Sequence, residues 1–203
     1  MSPSPNPSVA FFDRQFQRQI AEGEQALNPF ELAARPHVRG RVLDVGCGLG
    51  NLALDAARRG CEVHALDASA AAIDHLRRVA ARESLPLIAE EADLSDHVPE
   101  GRYDTVVCIG LLMFFDCARA WRQLERLQAA TAPNGVLVLN VLIEGTTFMG
   151  MFSPEGHCLF EPGRVLERFA GWERLHEAIE AFDAPAGTSK RFLTLIARRP
   201  CTA

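Results

Sequence analysis

Three glycines spaced Gly-x-Gly-x-Gly close the run VLDVGCGLGN (42–51), and aspartates stand at or near the ends of three apolar runs: Asp44 in VLDV, Asp67 in HALDAS and Asp93 in EADL. Gly46, Gly48 and Gly50 let the backbone come close to a ligand, and the helix that follows offers free N–H groups to anionic parts. A dinucleotide fingerprint needs Gly-x-Gly-x-x-Gly. Here the sixth position is Asn51 and the third glycine comes one residue early, which disfavours NAD. A carboxylate at Asp67 can accept both hydroxyls of a ribose. Asp93, at the same edge, can accept from an adenine amino group. Asp44 lies inside an apolar strand, where an acid is unfavourable unless it meets a cation or donors. Each acid alone also fits a turn or a cap, but three at three successive strand ends are hard to attribute to turns.

These residues need a frame. RVLDVG reads as a strand, and NLALDAARRG as a helix stopped by Gly60. CEVHALDAS is a second strand, followed by a helix capped by Ser69 that puts Ile73, Leu76 and Ala80 on one face and pairs Asp74 with Arg78. LPLIAEEADL and YDTVVCIGLLMF are strands, DCARAWRQLERLQAAT a helix, APNG a turn and VLVLNVLI the fifth strand. WERLHEAIEAF and SKRFLTLIARR form a terminal hairpin around DAPAGT, after an irregular Gly-rich stretch and the short helix candidate EPGRVLERFAG. The expected fold is α/β: a doubly wound, mostly parallel seven-stranded sheet with a C-terminal antiparallel hairpin, a Rossmann-like arrangement. Residues 1–8 read as a floppy lead-in and 9–203 as one domain. Within it, 9–36 form an amphipathic helical lid, 40–145 the cofactor-binding core, and 146–203 the substrate-region insert and hairpin.

The 203 residues carry a formal net charge of -5, which argues against an electrostatic grip on nucleic acid. The longest apolar runs fall short of the roughly 20 residues that span a bilayer, and MSPSPNPS has no signal-peptide character, so no membrane partner and a cytoplasmic location are expected. Cys47, Cys61, Cys108, Cys117, Cys158 and Cys201 form no C-x-x-C pair, and the six histidines are dispersed. The cysteines are expected to be reduced thiols, with no metal site.

On the glycine run, ALDAS, ADL and YDTVVCIGLLMF, the chain resembles the class I S-adenosylmethionine (SAM) dependent methyltransferases over about residues 40 to 145. LLMFFD, FEPGRVLERFAGWER and RFLTLIARR resemble the tellurite-resistance group within that class. The resemblance implies that Asp44 helps hold the methionine ammonium, and that Gly46, Cys47 and Gly48, with Gly50 and Asn51, pack against the cofactor. It further implies that Asp67 takes the ribose, that Ala68 is a cofactor-binding residue, that Asp93 and the backbone of Leu94 meet the adenine, and that Ile109, Gly110 and Leu111 border the methionine end. S-adenosylhomocysteine (SAH) would be the product. The chain departs from the tellurite group in AIEAFDAPAGTSK, which lacks the His-Arg pair that its members carry, although Arg191 in KRF stands at the matching place.

Displacement at a sulfonium methyl asks the protein for alignment and desolvation more than for a base. A small-molecule acceptor is expected: a chalcogen oxyanion such as tellurite or selenite, a thiol, or an organic nitrogen or oxygen nucleophile. Met113, His157 and Arg191 are the leading acceptor-side candidates, with Phe114 and Phe160; Phe11, Phe12 and Arg14 of the lid are weaker ones. A non-catalytic SAM-binding module and a nicotinamide oxidoreductase remain as alternatives, and the chain is expected to act as a monomer or homodimer.

Overall fold

The computed structural model describes residues 7–23, 26–152 and 156–201. Its elements in chain order are α1 (Pro7–Glu22), α2 (Pro29–Ala34), β1 (Arg41–Val45), α3 (Asn51–Arg58), β2 (Glu62–Asp67), α4 (Ala70–Glu83), β3 (Leu87–Glu91), β4 (Tyr103–Ile109), α5 (Cys117–Ala130), β5 (Thr131–Leu142), α6 (Pro162–Arg168), β6 (Glu173–Ala184) and β7 (Thr188–Arg198). Residues 1–6 of the expected lead-in lie outside the described residues, and helix already begins at Pro7. The lid stretch is two helices. α2 starts at a capping box in which Asn28 and Glu31 satisfy each other's backbone N–H.

The seven strands form one sheet in the order β3-β2-β1-β4-β5-β7-β6. β1 to β5 run parallel, while β7 lies antiparallel between β5 and β6, so the expected architecture holds. The central strands are buried on both faces, which is why they read as apolar runs. Leu43, Val106, Leu137, Leu139 and Leu195 pack with α5 and α6 on one side. Val42, Val63, Ala65, Val107 and Val138 pack with α2, α3 and α4 on the other. Strand order reverses between β1 and β4, and the crevice beyond their carboxyl ends is where such sheets take ligands.

Local chemistry explains most boundaries. Ser69 caps α4 by accepting from the Ala72 N–H at 3.2 Å, as expected, and Ile73, Leu76 and Ala80 are buried. The Asp74–Arg78 pair does not form. Arg78 Nε donates to the Asp74 carbonyl at 3.2 Å, while the Asp74 carboxylate faces Arg77 at 3.7 Å, because residues three apart are also neighbours on a helix. The APNG turn is taken into β5: Thr131 pairs with Tyr103 and Val136 with Thr105, so the turn bulges out within a paired stretch, with Asn134 at φ 60°.

The cysteines correct another expectation. Cys117, at the start of α5, is joined by a disulfide to Cys158 in the irregular segment, while Cys47, Cys61, Cys108 and Cys201 are free. Spacing along the chain could not reveal this, since the partners are 41 residues apart and only folding brings them together. Reduction, or the double change Cys117→Ala/Cys158→Ala, is expected to cost about 2–4 kcal/mol by relieving a constraint on the unfolded chain. Denaturant melts with and without reductant check this; coincident curves would refute it.

Candidate cofactor and acceptor site

β1 ends at Val45, and Gly46, Gly48 and Gly50 then take φ of 75°, 54° and 66°. Every second residue is left-handed, which accounts for the Gly-x-Gly-x-Gly spacing. At Gly50 an added Cβ would stand 2.5 Å from Cδ2 of Leu76, a fully buried side chain. The N–H groups of Gly46 and Cys47 both donate to the Leu66 carbonyl, at 2.8 and 3.0 Å, and tie the loop to β2.

Asp67 closes β2. Its Oδ2 accepts from the Gly48 N–H and its Oδ1 from the Ser69 N–H, both at 2.8 Å. Each oxygen keeps lone-pair capacity for a ligand hydroxyl. Burial raises its pKa; the N–H groups of Ser69, Gly48 and Ala68 work against the rise, and Asp13 adds to it. Asp13 comes from α1 and accepts from the Ser69 hydroxyl at 2.6 Å, which fastens that helix over the start of α4. Asp93, past the end of β3, accepts from the Ser95 N–H at 2.9 Å, and this bond lowers its pKa.

Asp44 is 5% exposed, and no described residue donates to its carboxylate. Burial, reinforced by the charges of Glu31 and Asp67, pushes it up to about 8. Glu31 of α2 is also raised by burial, although the Asn28 and Leu52 backbones donate to it. Burial, then the charges of Asp44 and Asp67, raise the Cys47 thiol well above its usual range, so it is no thiolate nucleophile.

These groups line one cavity of about 1080 Å³. Every residue named from sequence for the cofactor lines it: Asp44, Gly46, Cys47, Gly48, Gly50 and Asn51 from β1, its loop and α3, then Asp67, Ala68, Asp93, Leu94, Ile109, Gly110 and Leu111 at the ends of β2, β3 and β4. Met113 joins them, 2% exposed. Phe12 and Phe16 of α1 cover the cavity, and the Phe12 ring meets Phe114 edge-on at 5.1 Å.

The other acceptor-side candidates fall elsewhere. His157 does not reach the lining: its ring stacks on Phe152 at 4.8 Å, and Phe152 in turn packs on Phe114. Arg191 is exposed and donates to the Glu144 carbonyl at 3.2 Å, while its neighbours Lys190 and Phe192 line the cavity. Side chains alternate along a strand, so a motif match off by one residue lands on the wrong face. Phe160 is core, against Trp121 at 5.0 Å, and Phe11 is 42% exposed. Neither Phe11 nor Arg14 is on the lining.

Sequence reasoning missed Phe30, Glu31, Asn140, Lys190 and Phe192, all of which line the cavity. One signal was available: Asn140 interrupts the apolar run VLVLNVLI as Asp44 interrupts VLDV. It is 1% exposed, its Nδ2 donates to Thr194 Oγ1 at 3.0 Å, and its Oδ1 has no partner; Asn51 Oδ1 is likewise unpaired. Among the described residues no His/Cys/Asp/Glu group could hold a metal ion, and no helix is long and apolar enough to cross a membrane.

A methyltransferase-domain family matches residues 42–135, the stretch from β1 into β5. Hemagglutinin 1 of Eikenella corrodens is 29% identical over 166 residues, 79% of this chain and 55% of that protein, so the chain spans about half of that relative. The crystal structure of TehB from Haemophilus influenzae aligns with a TM-score of 0.75 at 19% identity, over 89% of this chain and 65% of that one. The N-methyltransferase NodS from Bradyrhizobium japonicum WM9, solved in complex with SAH, aligns with a TM-score of 0.67 at 16% identity, over 93% and 98%. Residues 42–135 thus match a methyltransferase domain, and the sheet that carries them has the fold of these solved structures, so the chain is similar to the class I methyltransferases that use S-adenosylmethionine.

Proposed function

We propose that the chain transfers the methyl group of SAM to a small-molecule acceptor, and that the residues named above hold the two. The observation that carries this is one continuous cavity, running from Asp93 past Asp67 and the glycine loop to a compartment walled by Phe30, Phe114 and Phe192. At about 1080 Å³ it is at the upper end for a single drug-sized ligand, as a site for a cofactor and a second molecule should be. The lining fits the cofactor. Asp44 and Asn51 Oδ1 are buried acceptors without donors, and an ammonium brings donors and a positive charge together.

In this reading Asp67 takes the ribose hydroxyls, Asp93 the adenine amino group, and Asp44 the ammonium. Held there, SAM would supply an activated sulfonium methyl, the carbon–sulfur pair staying with sulfur as the acceptor's lone pair forms the new bond, and a proton carried by the methylated acceptor would be lost to solvent once the product leaves. The chain's share is orientation and exclusion of water. Phe12, Phe16 and Phe114 close the cavity from the α1 side, and Met113 borders the reacting end. No histidine is on the described lining, and burial holds the Cys47 thiol protonated, so the acceptor must bring its own lone pair.

A chalcogen oxyanion would need cationic donors, and the lining carries two, Lys190 and Arg119. Both are engaged: Lys190 sits over the Phe148 ring at 4.8 Å, and Arg119 faces Asp116 at 3.5 Å and Asp96 at 3.7 Å. A cytoplasmic setting goes with the proposal, and the Cys117–Cys158 bridge is the feature that pulls the other way. Calorimetry with SAH and NAD is the test, followed by an SAH-release assay over tellurite, selenite, thiols, amines and phenols. SAH should bind and NAD should not; NAD binding without SAH binding would overturn the proposal.

A further inference from the structure

We infer that Asn140 Oδ1 receives an N–H or O–H of the methyl acceptor, and that the acceptor is a flat apolar molecule carrying such a donor, not an oxyanion. This deepens the proposed function and rests on it. Asn140 lies on β5 between Ile109 of β4 and Thr194 of β7, its partners in register. Thr194 Oγ1 accepts from Nδ2 at 3.0 Å and so holds that end of the amide on the β7 side. Oδ1 is thereby turned toward β4, whose end, Ile109 and Gly110, borders the cavity. It is buried and unpaired in a residue that lines the cavity. A buried amide oxygen without a donor is costly, and one on a cavity wall is relieved when a ligand brings the donor.

The cofactor ammonium does not serve it. Asp44 pairs with Val107, Val107 with Val138, and Asn140 is two residues further along β5. Strand spacing and rise put the two backbones roughly 12 Å apart, beyond what one ammonium bridges.

The surroundings give the rest of the acceptor's character. Phe192 lines the cavity beside Phe30, with ring centroids 4.9 Å apart, and Phe114, past the end of β4, is on the same lining. Such walls suit a planar ring. Glu31 of α2 lines the cavity with Asn140, and Lys190, a cation on that lining, is already held over the Phe148 ring at 4.8 Å, which leaves little free positive charge for an anion. An amide oxygen has nothing to donate to an oxyanion either.

The test uses the full chain saturated with SAH and two near-isosteric pairs of probes: indole against benzofuran, and p-cresol against 4-fluorotoluene. Calorimetry should show the donor-bearing member of at least one pair binding about tenfold tighter than its partner, the scale of one satisfied buried hydrogen bond. Asn140→Leu should erase that preference while keeping SAH affinity, which also reports that the variant folds. Thr194→Val, which frees the amide to turn, should reduce the preference less, and tellurite or benzoate should not displace the donor probe. Equal binding within both pairs, no binding of any donor probe, a preference that survives both variants, or displacement by tellurite would each overturn the assignment. Failure of SAH itself to bind would sink the methyltransferase proposal first and this one with it.

Discussion

Asp44→Asn is expected to weaken SAM binding by two orders of magnitude or more and, in the same protein, to raise the thermal stability of the ligand-free chain at pH 8. Both effects come from one buried carboxylate. Removing the anion that faces a buried cation leaves the cation uncompensated, at a cost of about 3–5 kcal/mol. Without ligand the logic reverses, because burial and the charges of Glu31 and Asp67 hold Asp44 up at about 8, against about 4 in the unfolded chain. The folded state binds the proton more tightly. Its contribution is therefore fully present below about pH 4 and is lost as pH rises through about 8. At about 1.4 kcal/mol per unit this is of the order of a few kcal/mol. Asparagine carries no such loss, so the melting temperatures of variant and wild type should diverge between pH 5 and pH 8, the variant being higher. Binding should release close to one proton per complex at pH 7, read as a buffer-dependent enthalpy that is absent in Asp44→Asn. No release from the wild type would show that the ammonium does not lie against Asp44.

Asp67→Ala is expected to raise the SAM dissociation constant by about 10–100-fold, the loss of hydrogen bonds to a charged acceptor. From sequence alone the change should leave the fold intact. The structure adds a second effect, because Asp67 also holds the Gly48 and Ser69 N–H groups, one in the glycine loop and the other at the cap of α4. Alanine leaves the half-buried Gly48 and the buried Ser69 N–H unpaired, so stability should fall by about 1–3 kcal/mol. Asp67→Asn keeps one acceptor and should lie between. Calorimetry and denaturant melts on the three proteins check the order; an alanine variant that binds SAM as well as wild type would refute the ribose placement.

The half of the cavity around the glycine loop was legible because its signals are local. Left-handed backbone at Gly46, Gly48 and Gly50 requires glycine within five residues, and an acid in or at the end of an apolar strand is conspicuous whatever surrounds it. The parallel sheet was legible for the same reason, since strands buried on both faces are apolar along their whole length.

The other half was not, because it is assembled from α1, α2, β5 and β7, which only the fold brings together. KRF alone cannot say that Lys190 and Phe192 face inward while Arg191 faces out; that follows from the register of β7 on β5 and β6. The bridge between Cys117 and Cys158 is of the same kind. By itself the sequence determined the glycine loop, the strand-end acids and the α/β order, each encoded in neighbouring residues through backbone sterics and the cost of burying charge. Which side chains wall the rest of the cavity, and that Asn140 Oδ1 is left without a donor, was decided by strand register and helix packing, which depend on residues far apart in the chain.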